Sequence, residues 1–192
     1  MWNEPSAGVA VAALDPDRAS RQPAPAVVAS VEPGSIGEDL GFEPGDQLLS
    51  INGVRPRDLI DYRYLIVEEE LHLEIRDAAG VLHQVDLEKD EDDGLGLAFT
   101  EALFDGLRQC SNACAFCFID QQPPGHRSSL YLKDDDYRLS FLYGSYLTLT
   151  NLSDSDWQRI EQQRLSPLFV SVHATDPELR SSLLQNPRAG QL

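Results

Sequence analysis

The sequence predicts a two-domain protein, α+β in its front part and α/β in its back part. Three observations carry this. Between residues 26 and 93, short apolar–polar alternations are separated by Gly, Pro and Asn-Gly turns, the pattern of a small antiparallel β-module. In the back half the pattern changes to strand, helix, strand, helix, which builds a parallel sheet. Charge divides the chain too: residues 1–100 hold 7 Lys/Arg against 21 Asp/Glu, whereas residues 101–192 hold 8 against 11.

The elements follow in order. Residues 1–25, rich in Ala, Pro, Asp and Arg, read as a flexible lead-in. AVVASVE is a strand, PGS a turn, and SIGEDLGF a short helix ended by Gly41. QLLSI is the next strand, and Asn52-Gly53 after it is a strong hairpin signal. RDLIDYRYLI fits an amphipathic helix opened by Asp58. ELHLEIRD and VLHQVDLEK alternate around Ala-Ala-Gly and form a second hairpin, on which His72 and His83 fall on the surface. The run LEKDEDDG (87–94) reads as a solvated linker. Beyond it, YLTLT (146–150) and PLFVSVH (167–173) are strands. SDSDWQRIEQQR is a helix with Ser153 as N-cap and Asp156 in the capping-box position, and DPELRSSLL is a helix with Asp176 as N-cap and Pro177 first.

Composition excludes several classes. The net charge of −17 repels phosphates, which argues against non-specific binding of DNA or RNA. No run of 18 apolar residues exists, so no membrane span is expected. The N-terminal MWNEPSAGVAVAAL lacks a basic start and carries Glu4 and Pro5, unlike a signal peptide. Three clustered thiols do not make a disulfide framework, and a reducing cytoplasm is the expected compartment.

The run VEPGSIGEDLGFEPGDQLLSINGV resembles a PDZ domain of the bacterial type, with Gly34 and Gly45 in turns and Asp46 bonding nearby turn amides. The resemblance implies a PDZ-like β-sandwich with two helices over residues 26–93, docking a partner or binding extended peptides by strand addition. The family's carboxylate-binding loop is a Gly-Leu-Gly-Phe-like turn near the domain start, where none is found here. A similar string, Gly94-Leu95-Gly96-Leu97, stands at the end and is the candidate peptide-binding segment, or else leads into the next domain.

All the cysteines lie in CSNACAFCF (110–118), spaced C-x3-C-x2-C as Cys110, Cys114 and Cys117. Zinc is one reading, with His126 or His173 as a fourth ligand, but structural zinc prefers two separated pairs. An iron–sulfur cluster is the better match, because short runs of Cys thiolates hold its irons. Three ligands would leave one corner open to a substrate or cofactor.

That spacing, with Phe116 just before the last cysteine, resembles the radical S-adenosylmethionine (radical SAM) motif. The resemblance implies a [4Fe-4S] cluster on the three cysteines, with S-adenosylmethionine chelated at the fourth iron and Phe116 bordering the adenine. It implies reductive cleavage to a 5′-deoxyadenosyl radical, hydrogen abstraction from a substrate it does not identify, and an electron donor such as ferredoxin or flavodoxin. Residues 94–192 would be the start of a radical SAM partial barrel, whose reactive groups gather at the C-terminal strand ends. Alternation turns Leu147 and Leu149 outward and Tyr146, Thr148 and Thr150 inward. Likewise Leu168, Val170 and Val172 point outward, and Phe169, Ser171 and His173 inward. Thr150, Asn151, Ser171 and His173 are thus the candidate cofactor-binding residues. The family's Gly-Gly-Glu-like slot falls at Thr150-Asn151-Leu152, or alternatively at Tyr143-Gly144-Ser145; the Gly-Gly-Glu sequence itself is absent.

KDDDYR (133–138) reads as a solvated loop, because three adjacent carboxylates cannot all face one site; Asp136 and Arg138 are its better functional candidates. QQPPGHR (121–127) reads as an irregular cover that brings His126 or Arg127 near substrate. Only 75 residues follow Cys117, whereas a full barrel takes roughly 200. The chain therefore reads as the front portion of a longer protein. The whole arrangement resembles an uncharacterised family of radical SAM proteins with an N-terminal PDZ-like domain. The alternative from another class is a non-catalytic peptide-binding adaptor with a vestigial or zinc-binding barrel fragment.

Overall fold

Alternation in the front half becomes one five-stranded antiparallel sheet. The computed structural model describes residues 24–191, so the expected lead-in lies almost wholly outside the described residues. Strands β1 (Ala26–Val31), β2 (Gln47–Ile51), β3 (Glu70–Arg76), β4 (Leu82–Glu88) and β5 (Leu97–Phe99) take the order β4-β3-β2-β1-β5. Along β3 every second residue, Leu71, Leu73 and Ile75, is buried, where it joins Val28 and Leu48 in the core. Burial of each such side chain contributes about 1.5–3 kcal/mol. Strand β1 changes partner along its length: Ala26 and Val27 pair with β2, and Val28 to Val31 pair with β5 across a bulge.

Local caps set the two helices of this unit. Helix α1 (Ile36–Asp39) starts at Ser35, whose hydroxyl accepts from the Glu38 N–H. Helix α2 (Leu59–Leu65) starts at Asp58, whose buried carboxylate accepts from the Ile60 and Asp61 N–H groups. Asn52 and Gly53 form the expected two-residue turn, with φ of 50° and 74°. The hairpin is a single Ile51–Val54 pair, because the chain then leaves for α2. His72 and His83 do lie at the surface, each paired with an aspartate, Asp86 and Asp77 respectively.

Two compact units divide the chain after Gly106. The first extends past residue 93 because Leu95, Leu97, Phe99 and Phe104 complete its core. Phe99 stands edge-on between Tyr62 and Phe104, at 4.7 and 5.4 Å. Gly37 and Gly96 make the approach possible: a Cβ on Gly37 would lie 2.5 Å from the Leu95 carbonyl oxygen, and one on Gly96 2.3 Å from Ser35 Cβ.

The second unit carries the parallel pair that the βα pattern predicts. β6 (Tyr146–Leu147) and β7 (Phe169–Val170) pair in parallel, Tyr146 opposite Phe169, and α4 (Asp154–Gln162) connects them. Helix α5 (Pro177–Leu184) follows β7, and a 3-10 turn spans Pro187–Gln191. Both strands are shorter than the apolar runs suggest, and the reason is local. Leu149 and His173 adopt left-handed φ values of 59° and 63°, and the Thr148 N–H bonds to the Asp135 carboxylate instead of continuing a ladder. Leu147 is fully buried on one face of the pair. Tyr146 and Phe169 meet edge-on and exposed, with centroids 6.2 Å apart.

KDDDYR is not a solvated loop. Asp136 caps a further helix, α3 (Tyr137–Tyr143), and Asp135, Asp136, Tyr137 and Arg138 are all buried. The three carboxylates do diverge: Asp134 is exposed, Asp135 turns to Thr148, and Asp136 bonds Arg138 and the Arg108 N–H. No described helix is long and apolar enough to cross a membrane.

Candidate functional site

The cysteine segment forms no helix or strand and is held by its neighbours. The Cys110 N–H donates to the Lys133 carbonyl (2.7 Å), and Cys114 and Cys117 bracket one turn through the Cys117 N–H and Cys114 carbonyl (3.1 Å). All three are free, half-buried thiols. Burial pushes the Cys110 and Cys114 thiols up, and the Asp135 carboxylate adds to the effect at Cys110. Among the described residues, no three His, Cys, Asp or Glu side chains are drawn together closely enough to hold a metal ion. In donor chemistry, three thiols from one short segment fit an iron–sulfur cluster.

Asn112, between the first two cysteines, docks this segment onto the end of β6. Its Nδ2 donates to Thr148 Oγ1 (2.9 Å), and its Oδ1 accepts from Thr150 Oγ1 (3.0 Å) and Asn186 Nδ2 (2.7 Å). Asp135 completes the network, accepting from the Thr148 N–H and hydroxyl. Arg180, fully buried, donates to the carbonyls of Thr148, Val172 and Ala189 and so ties the two strand ends together.

The candidate cofactor-binding residues are brought to this end. Phe116 packs against His173 at 5.2 Å between centroids, both rings exposed at an edge. Ser171 donates its N–H to the Leu147 carbonyl. Thr150 is buried in the Asn112 network, and Asn151 Nδ2 donates to the Asp135 and Gln109 carbonyls. Those two bonds fix the orientation of the Asn151 amide and leave its Oδ1 buried without a hydrogen-bond partner. An orphan acceptor at a strand end fits a ligand that brings an N–H donor, such as an ammonium. An open cavity of about 380 Å³ is lined by the flanking residues Leu149, Thr150 and Leu152 with Trp157 and Arg188, and Asn151 itself does not line it.

Tyr143-Gly144-Ser145, the alternative ligand slot, sits at the opposite end of β6, where Gly144 with φ 76° ends α3. QQPPGHR is an exposed loop folded onto the Tyr131 hydroxyl, which accepts from the His126 N–H. Asn112, Lys133, Asp135 and Arg180 escaped the sequence reading. A signal for Asp135 existed: Asp136 as N-cap and Gly144 as C-cap mark α3, and a helix start there separates the three aspartates.

In the first unit, a groove of about 490 Å³ runs between α2 and the segment 94–98, with Tyr62, Arg63 and Ile66 on one wall. Strand β5 has β1 as its only partner in the described sheet, so its outer edge is open.

Comparison with known families finds two domain types, the second match beginning within the first compact unit. A PDZ domain model matches residues 27–77, and a radical SAM-like domain model matches residues 89–192. No curated protein matches the chain. The second match covers more than half of the sequence: the chain belongs to the radical SAM-like domain family and carries a PDZ domain in front of it.

Proposed function

We propose that the second unit belongs to a radical SAM partial barrel and that the protein is a radical SAM enzyme. The observation that carries this reading is the docking of the C-x3-C-x2-C segment, through Asn112, onto the end of a parallel strand pair in a family-matched domain. Cys110, Cys114 and Cys117 would hold a [4Fe-4S] cluster. The chemistry supplied there is one-electron reductive cleavage of S-adenosylmethionine to a 5′-deoxyadenosyl radical, which abstracts hydrogen from substrate; the electron comes from an external donor of the ferredoxin or flavodoxin type.

The chain's own residues bind and orient. Asn151 Oδ1, the orphan acceptor, receives an N–H from the methionyl ammonium. Phe116 and His173 form an exposed ring pair against which a planar base stacks. Thr150 and Asn112 keep the strand end and the cysteine segment in register. The PDZ unit docks an extended peptide or protein segment in the groove beside Gly94-Leu95-Gly96-Leu97.

Anaerobic reconstitution with iron and sulfide tests the reading. About four irons per chain and a brown visible absorption are expected, with loss of both in Cys114→Ala. Reduced protein should release 5′-deoxyadenosine from S-adenosylmethionine. Tight binding of zinc with no cluster would overturn the proposal.

A further inference from the structure

Lys133 reaches the cysteine segment at its start, middle and end. Its carbonyl accepts from the Cys110 N–H (2.7 Å). Its ammonium donates to the Asn112 carbonyl (2.9 Å), between the first two cysteines, and to Asp120 Oδ2 (2.7 Å), three residues past the last. The lysine side chain is only 20 % exposed, and these two bonds hold its ammonium against the segment.

We propose that Lys133 is a positioning residue that clamps the cysteine segment and offsets the negative charge its thiolates gather. The proposal rests on the iron–sulfur reading of the site. Drawing three thiolates to one place is opposed by their mutual repulsion, and a fixed, half-desolvated cation beside them lowers that cost. Loss of a partner that orients ligands in this way typically weakens metal binding by about 10–100-fold. The same charge favours the reduced cluster, because reduction adds negative charge next to it. Asp120 acts in the opposite sense: it holds the ammonium in place while cancelling part of its field.

Three variants of the full chain, Lys133→Met, Lys133→Arg and Asp120→Asn, test this with three readouts. In the metal-free chain, hydrogen exchange over residues 110–120 should quicken in Lys133→Met and stay near wild type in Lys133→Arg. After reconstitution, Lys133→Met should bind iron about tenfold more weakly or worse. In a redox titration followed by electron paramagnetic resonance, the midpoint should move negative in Lys133→Met and positive in Asp120→Asn. A general loosening of the segment would not give shifts of opposite sign. Lys133→Met that exchanges and loads as wild type does, or two variants that shift the midpoint the same way, would overturn the assignment. If wild type loads no iron, the iron–sulfur reading fails, and the exchange comparison still decides the clamp.

Discussion

Asn112 is the residue on which the position of the cysteine segment turns. It is buried, and its side chain satisfies Thr148, Thr150 and Asn186 at once, while its carbonyl receives Lys133. Truncation to Ala removes one donor and one twice-used acceptor; Thr148 and Thr150 keep each other and Asp135, and Asn186 keeps Ser111, so the loss is that of three hydrogen bonds at about 0.5–1.5 kcal/mol each. Asn112→Ala should therefore lower the stability of the second unit by about 3 kcal/mol. It should also cut the iron retained after reconstitution. Asn112→Asp should do no better, because it exchanges the amide donor for a second carboxylate beside Asp135. Urea unfolding, followed by hydrogen exchange in residues 107–191, checks both; an Ala variant as stable as wild type would contradict this account.

Among the elements, α4 shows how one carboxylate serves two structures. Asp156 closes the capping box with Ser153 and takes a bidentate pair from Arg108 at 2.5 and 2.6 Å. Burial pushes its carboxyl up, but the bonds from Arg108 and Ser153 outweigh it and hold the group below its ordinary 3.8. A depressed folded value means stability that is present above the ordinary value and lost as pH falls through the folded one. Asp156→Asn should lower the thermal midpoint at neutral pH, and the wild-type advantage should shrink as pH falls from about 5 toward 3. A gap constant across that range would show that the carboxylate's charge contributes nothing. Such caps were legible in the sequence because they are local: Ser35, Asp58, Ser153 and Asp176 all accept from amides two or three residues on. The candidate site was legible in its cysteines and in the residues at the strand ends, but not in the bonds that hold them. The Asp135–Thr148 bonds join residues 13 apart, and Arg180 reaches back 32 to the Thr148 carbonyl; no local period encodes either. The same holds for β5, whose three residues became a strand because β1 offered an edge, not because their own pattern demanded one.

At the scale of the whole molecule, charge and chemistry are divided between two units. The cysteines lie in the nearly balanced part, and most of the net charge of −17 lies in the part with the groove. Strand addition at β5, as proposed, would supply main-chain bonds that do not discriminate sequence, so the field of the unit should set much of the preference. A surface this acidic attracts cationic peptides, while Arg63 in the groove wall favours an acidic side chain or a terminal carboxylate close to it. Peptides selected on the full chain from a library with free C-termini should be rich in Lys and Arg away from the groove, and should bind more weakly as salt rises. Ala98, exposed on β5 and lining the groove, offers a block that leaves the core untouched: Ala98→Trp should abolish binding without lowering the thermal midpoint. Amidating the peptide C-terminus separates carboxylate capture, which it destroys, from strand addition alone, which it spares. If no peptide is enriched, or Ala98→Trp binds as well as wild type, the groove is not a peptide site.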